Sequence, residues 1–193
     1  MSVSQTIRKP NFYTDVKTYG KIGERFFQDS ISSGLAGKGK VIHDVSDNPF
    51  WQQYDVDFVI SDEGVSLNSV DSELFDENLI RLEVKVDTVA PRTGNLAYEV
   101  ISHGKFGWCV NTMADKVIML ICNDGIIDGK IYAHEGHIID MKKWKSFASY
   151  SYNCSFRQPN CIYNEEIYDF LFKIEELKQN KIIISTFSIN SWI

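Results

Sequence analysis

The sequence lacks an apolar run long enough to cross a bilayer, which takes about 20 consecutive apolar residues. Its longest strongly apolar run, Val117 to Cys122, has only the length of a β-strand. The first residues, MSVSQTIRKPNFYTD, also lack the apolar core of a secretory signal peptide. We therefore expect a cytoplasmic protein that does not bind or span membranes.

Several familiar catalytic motifs are also missing. The four cysteines include no CxxC pair, and the sequence contains no P-loop, no GxGxxG and no GxSxG. These absences argue against a redox dithiol, nucleotide-driven chemistry and a serine hydrolase of the common type. His134 and His137 form an HxxH pair that precedes Cys154 and Cys161, but these spacings match no common zinc site.

Basic residues are absent from one part of the chain. Residues 41–80 contain ten acidic residues and no Lys or Arg, whereas residues 1–40 contain seven basic and three acidic residues. The whole chain has a net charge of −6, and a generic nucleic-acid binder would be basic overall. A partner that carries phosphate would therefore need local basic patches or bound cations. The acidic block itself offers carboxylates, which are the ligands of hard metal ions.

Proline and glycine are sparse, at four and twelve residues, and no internal repeat is visible. We expect one domain over residues 1–193, of the α/β or α+β class, with a central mixed sheet. The periodicity predicts helices at Asp15–Ser32, Ile138–Ala148 and Glu165–Gln179, and strands at Lys40–Val45, Tyr54–Ser61, Ile80–Thr88, Lys116–Cys122, Gly129–Ala133 and Ile182–Phe187. Leu96–Ser102 fits a strand or a short helix.

The chemically informative segments are YDVDFVIS and LEVKVD, on two consecutive predicted strands. Residues two apart share a strand face, so Glu83 and Lys85 project together. Asp57, or its rival Asp55, projects from the preceding strand. If the strands pair, two carboxylates and an ammonium converge, and such carboxylates suit Mg²⁺. The main-chain carbonyl of Val84 is a natural extra ligand.

DVDFVI followed by LEVK resembles the D…(D/E)xK core of the PD-(D/E)xK nuclease superfamily, and IGERFF is similar to the glutamate-bearing helix that precedes that core. The resemblance implies a restriction-endonuclease-like α/β fold, with a central mixed sheet flanked by helices, and a Mg²⁺ cofactor for which Mn²⁺ can substitute. It also implies DNA as partner and, in many members, a homodimer. The resemblance implies that Glu24 is the helical acid, that Asp57 and Glu83 bind the metal, and that Lys85 acts on water and phosphate. The superfamily's proline before the aspartate is replaced by Val56.

Further candidates lie downstream of LEVK. Arg92, Thr93 and Asn95 belong to a predicted loop, where phosphate-binding residues often lie, although the same residues also suit a plain turn. Glu99 follows closely as a further acid or as an ordinary exposed residue.

The sequence thus predicts a Mg²⁺-dependent deoxyribonuclease of the restriction or of the recombination and repair type. One alternative is a structure-selective resolvase of the Holliday-junction type. Another is a non-catalytic interaction protein, in which residues 41–80 form an acidic surface that binds a basic partner or imitates DNA. A third is a plain antiparallel hairpin, on which Glu83 and Lys85 are surface charges.

Overall fold

The structure, a computed structural model, describes residues 12–36, 38–153 and 167–193. Its helices are α1 (Phe12–Ala36), α2 (Pro49–Gln52), α3 (Asp71–Leu74), α4 (Ala90–Thr93), α5 (Trp108–Asn111), α6 (Met141–Asn153) and α7 (Ile174–Gln179). Its strands are β1 (Lys40–Asp44), β2 (Phe58–Asp62), β3 (Ile80–Asp87), β4 (Asn95–Ser102), β5 (Lys105–Phe106), β6 (Lys116–Cys122), β7 (Tyr132–Asp140), β8 (Ile167–Lys173) and β9 (Ile183–Trp192).

The strands form two sheets. The larger sheet has the order β1-β2-β3-β6-β7-β9, and the smaller has the order β5-β4-β8. In the larger sheet β3 and β6 run parallel, and every other neighbouring pair runs antiparallel. The predicted α/β class with a mixed sheet is therefore confirmed.

Helix α1 covers one face of the larger sheet. Ile22, Phe26 and Phe27 recur at helical spacing and pack against the sheet. Gly23 allows a close approach, because a Cβ there would lie 2.8 Å from Cγ2 of Val86. We call this packed layer the helix-side core.

The opposite face of the larger sheet is covered by two separate apolar clusters. The inter-sheet core fills the space between the sheets, and its largest fully buried side chains are Trp144, Leu96, Phe172, Ile139, Met141, Leu177 and Ile182. The α2–α3 core covers the end near β1 and β2, and consists of Val45, Trp51, Val56, Val59, Leu74 and Leu79. Strand β3 runs along the seam between these two cores.

A buried guanidinium anchors the start of β3. Arg81 is 7% exposed, and its Nε and Nη2 donate to the Asp115 carboxylate at 2.8 and 3.0 Å. Its Nη1 also donates to main-chain carbonyls of α3, including that of Leu74. These bonds satisfy a buried charge, as a buried arginine requires, and they fix β3 against the loop that leads into β6.

Two predicted helices are partly wrong. Residues 138–140 end strand β7, so α6 begins only at Met141. The described part of the predicted helix 165–179 is strand β8 up to Lys173, and only the six residues of α7 are helical; residues 165 and 166 lie outside the described ranges. The apolar residues of β8 pair with β4, so tertiary pairing prevails over the helical spacing of that segment.

In the described part of the chain, no helix combines the length and the apolar character that a membrane crossing requires.

Candidate active site

Asp57 lies where β2 enters the larger sheet, directly beside β3. Its main-chain N–H donates to the carbonyl of Leu82 at 2.9 Å, continuing the register in which Phe58 faces Leu82. Its carboxylate Oδ2 accepts the main-chain N–H of Val84 at 2.8 Å. Asp57 is only 5% exposed, so its carboxylate is held against β3 between Glu83 and Lys85.

Glu83 and Lys85 project from the same face of β3, as the two-residue period requires. Their neighbours Leu82 and Val84 point into the helix-side core, on the other face. Glu83 forms an ion pair with Lys85, and the exposed fractions of the two side chains are 4% and 32%. The predicted convergence of Asp57, Glu83 and Lys85 is therefore present in the structure.

The second oxygen of Glu83 is the unusual feature of this cluster. Oε2 is buried and has no hydrogen-bond partner among the described residues. Buried polar atoms are nearly always hydrogen-bonded, and leaving one unpaired costs about 1–3 kcal/mol. A cation bound to this oxygen would supply the missing partner and remove that cost.

The burial of this cluster shifts the pKa values of its side chains. Burial raises the pKa of Glu83 to about 8; the ammonium of Lys85 opposes the shift, and the charge of Asp57 adds to it. Burial alone would lower the pKa of Lys85, but the carboxylates of Glu83, Asp57 and Asp55 raise it above its ordinary value. Lys85 therefore stays protonated at neutral pH, whereas Glu83 titrates near it.

Side chains on both sides of the seam hold the cluster of Asp57, Glu83 and Lys85 in place. The Lys85 ammonium lies 5.2 Å from the centre of the Trp108 ring, a cation–π contact worth about 0.5–1 kcal/mol when exposed. The main-chain N–H of Trp108 donates to Glu99 Oε1 at 3.1 Å. Gly107 permits this packing, because a Cβ there would lie 2.6 Å from the carbonyl oxygen of Glu99. Glu99 thus orients Trp108.

A glutamine on the other wall orients Asp57. Gln52, at the end of α2, donates from Nε2 to Asp57 Oδ1 at 3.2 Å and to the Val56 carbonyl at 3.1 Å. Sequence reasoning missed both Gln52 as a partner of Asp57 and Trp108 as a partner of Lys85. The contact between Lys85 and Trp108 joins segments that only the tertiary fold brings together. The contact between Gln52 and Asp57 spans only five residues, but no motif in the sequence marks it.

Asp55, the rival ligand, occupies a turn instead of a strand. It has a positive φ of 50°, and its Oδ2 accepts a hydrogen bond from Asn111 at 3.2 Å. Its carbonyl accepts one from Thr112 at 2.9 Å. Asp55 therefore links α2 to the segment after α5, near the cluster, while Asp57 is the acid that contacts β3.

Glu24 lies on α1 and therefore over the opposite face of the larger sheet. Its carboxylate pairs with Lys21 at 2.8 Å, and Lys21 also contacts Asp47 at 3.1 Å. No hydrogen bond or ion pair among the described residues joins Glu24 to the Asp57 cluster.

The three predicted phosphate contacts follow the end of β3. Arg92 and Thr93 are exposed on α4, and Asn95 begins β4. Thr93 Oγ1 accepts the main-chain N–H of Asn95 at 3.2 Å, which is ordinary turn bonding. Asp87 fixes this turn to β3 by accepting two main-chain N–H groups of the segment at 2.7 Å. Lys85 and this turn thus lie at the same end of the strand.

The alternative zinc set is not assembled in the described residues. His134 bonds to Asn123 at 2.8 Å, and His137 is fully buried and bonds to Thr186 at 3.0 Å. Cys154 and Cys161 lie outside the described residues.

Within the described ranges no group of three or more His, Cys, Asp or Glu side chains is placed to hold a metal. Mg²⁺ is commonly bound by one or two carboxylates and keeps several waters. Asp57 and Glu83 supply two carboxylates. Val84 directs its N–H at Asp57, so its carbonyl faces the same side of β3.

Comparison of this chain with protein-family models, with curated protein sequences and with solved structures found no match.

The raised pKa of Glu83 predicts a distinct pH dependence of stability in the metal-free protein. The folded state binds this proton more tightly than the unfolded state, whose pKa is near 4.5. Glu83 therefore contributes stability that is complete below about pH 4.5 and is lost as pH rises through about 8. The slope for one proton is at most about 1.4 kcal/mol per pH unit.

We expect Glu83→Gln to remove this contribution. Urea unfolding of both proteins in chelator, at several pH values between 5 and 9, measures the difference in their free energies of unfolding. That difference should shift in favour of the variant as pH rises. If the free energies of unfolding of the two proteins change with pH in parallel, Glu83 titrates normally.

Proposed function

We propose that this chain is a Mg²⁺-dependent nuclease that hydrolyses phosphodiester bonds in DNA, on a restriction-endonuclease-like fold. The observation that carries the proposal is the buried, unpartnered Oε2 of Glu83, beside the Asp57 carboxylate and the Lys85 ammonium. A surface hairpin with plain surface charges, or an acidic interaction module with Lys85 far from Asp57, would not gather these groups in a seam.

In this proposal, bound Mg²⁺ supplies a Lewis acid that neutralises charge on the scissile phosphate and lowers the pKa of water. Asp57 and Glu83 hold the ion, with the carbonyl of Val84 as a third ligand. The hydrogen bonds from Gln52 and the Val84 N–H fix the orientation of Asp57 before any ligand arrives. Such preorganisation removes reorganisation cost from the reaction.

Lys85 acts as a cation instead of a general base. Its raised pKa keeps it protonated, so its ammonium donates to a phosphate oxygen and to the attacking water. Negative charge develops on the phosphate during attack, and a fixed cation in a water-poor seam stabilises it. The Trp108 ring limits where that ammonium can lie.

Glu83 must lose its proton to bind a cation. Because its pKa in the metal-free protein is about 8, protons and Mg²⁺ compete for the same oxygens. Cleavage at fixed, subsaturating Mg²⁺ should therefore increase with pH across the neutral range.

Arg92, Thr93 and Asn95 are the proposed substrate contacts. Two of them are exposed at the end of β3 that carries Lys85. A short basic and polar turn beside the cluster would position the DNA backbone without reading its sequence.

The proposed function is tested by incubating the protein with linear, circular and branched DNA, and with RNA, in Mg²⁺, Mn²⁺ or chelator. We expect cleavage of DNA with Mg²⁺ and with Mn²⁺, and none with chelator. Preferential cleavage of the branched substrate would identify the resolvase alternative. Absence of cleavage from every substrate, by protein shown to be folded, would contradict the proposal.

A further inference from the structure

Two carboxyl side chains face each other across the smaller sheet. Glu99 on β4 pairs directly with Asp169 on β8. Side chains in such a pair project from the same face, with their Cβ atoms about 4.5–5.5 Å apart, and like charges there destabilise the sheet. Two facing acids in one strand pair therefore need something that removes or offsets a charge.

Asp169 is the more buried acid of the pair. Its exposed fraction is only 8%, whereas Glu99 is half-buried. Its Oδ1 is buried and has no hydrogen-bond partner among the described residues. Protonation would remove the buried charge and turn one oxygen of Asp169 into a donor. The facing carboxylate of Glu99 is an acceptor for that donor.

The main chain holds Glu99 in this position. The register of β4 and β8 shifts between Glu99 and Ile101, and such a β-bulge redirects a side chain, commonly beside a functional site. Glu99 Oε1 also accepts the main-chain N–H of Trp108 at 3.1 Å. Glu99 would lose this bond if repulsion turned its carboxylate away from Asp169.

The groups around the two acids do not offset their charges. The buried thiol of Cys109 on α5 interacts electrostatically with both acids and with Lys85, but burial raises its pKa well above its ordinary value, so it is neutral. The ammonium of Lys85 is paired with another carboxylate, that of Glu83. The lysines of the smaller sheet, Lys105 and Lys173, face neutral residues across it.

The titration of Asp169 agrees with this geometry. Burial raises the pKa of Asp169 to about 6, and the charge of Glu99 adds to the shift. Two acids that interact this closely lose their protons in steps that belong to the pair.

We propose that Asp169 and Glu99 share one proton in the folded protein, and that the pair positions Trp108 through the hydrogen bond that Glu99 accepts. While the proton is bound, Asp169 donates to Glu99 and the pair carries one negative charge. When the proton leaves for solvent, the pair carries two facing charges, and Glu99 is repelled. Because the Trp108 ring lies 5.2 Å from the Lys85 ammonium, this proton links the placement of Lys85 to pH. The shared proton does not depend on the proposed nuclease activity.

Asp169→Asn is the test variant, because its amide donates to Glu99 and cannot lose a proton. The main-chain amide of Trp108 reports on Glu99, whose oxygen it contacts. Asp62→Asn is the matched control, since Asp62 is a strand aspartate that faces Lys40 instead of an acid.

NMR titration of the Trp108 amide in chelator, from about pH 4 to 7, gives the result, with circular dichroism to verify folding. We expect a midpoint near pH 6 for wild type and for Asp62→Asn. In Asp169→Asn the midpoint should fall by about one pH unit or more, towards the ordinary pKa of glutamate. A wild-type midpoint below about pH 5, or the same midpoint in wild type and in a folded Asp169→Asn variant, would overturn the inference.

Discussion

Lys85→Ala is expected to reduce the rate of DNA cleavage about 10²- to 10⁴-fold at saturating Mg²⁺. The variant loses the only ammonium that contacts Glu83 among the described residues. The charge that develops on the phosphate is then left without its fixed cation. The buried Glu83 carboxyl can take up a proton in the absence of the ammonium, so the variant should still fold.

Lys116→Ala is the matched control for Lys85→Ala. Lys116 lies on the neighbouring strand β6, pairs with Asp140 at 2.9 Å, and is 30% exposed, close to the 32% of Lys85. Single-turnover cleavage rates and thermal melting of both variants separate catalysis from folding. Cleavage by a folded Lys85→Ala variant at near the wild-type rate would remove Lys85 from the mechanism.

Asp57→Asn is expected to reduce cleavage by about 10³-fold or more and to weaken Mg²⁺ binding. Several kcal/mol of charge stabilisation depend on the ion, and each 1.4 kcal/mol corresponds to about tenfold in rate. The asparagine carbonyl can still accept the N–H of Val84. The new NH₂ group can donate to Oε1 of a turned Gln52 amide, which then gives up its bond to the Val56 carbonyl. The fold should therefore persist.

Asp55→Asn separates the two candidate ligands. Asp55 accepts its side-chain hydrogen bond from Asn111 at a turn, so its neutral analogue should keep most of the activity. Mg²⁺ titrations of cleavage for both variants, alongside wild type, measure the effect. Loss of activity in Asp55→Asn with retention in Asp57→Asn would transfer the ligand role to Asp55.

The sequence was most informative where a strand alternates strictly. LEVKV predicts a strand with two polar residues on one face, and β3 has that face pattern because its other face packs under α1. The run Val117 to Cys122 likewise matches β6. The first segment alternates with a period of two, and the second is an apolar run of strand length, so both patterns favour a strand.

The sequence was misleading where the same apolar residues fit both the period of a helix and the period of a strand. In the segment after residue 166, Phe170, Leu171 and Ile174 fit a helical stripe, yet Phe170 and Phe172 face the inter-sheet core from a strand. The deciding factor is pairing with β4, whose paired residues lie 65 to 78 positions earlier in the chain and leave no local signal.

The candidate site also has features that the sequence predicts and features that only the structure shows. The shared face of Glu83 and Lys85 follows from local geometry, whereas the placement of Asp57, and not Asp55, against β3 becomes clear only from its bond to Val84. The resemblance suggested Glu24, whose carboxylate pairs with Lys21 on α1. The burial that raises the pKa of Glu83 arises where two separate cores meet, and no local pattern encodes it.

The most direct test of the central claim is Mn²⁺ binding, followed by electron paramagnetic resonance and located by anomalous X-ray diffraction. The account predicts one ion in contact with the carboxylates of Asp57 and Glu83, and loss of that ion in Asp57→Asn. A Mn²⁺ ion bound elsewhere in the chain, or no binding at concentrations that saturate known nucleases, would contradict it.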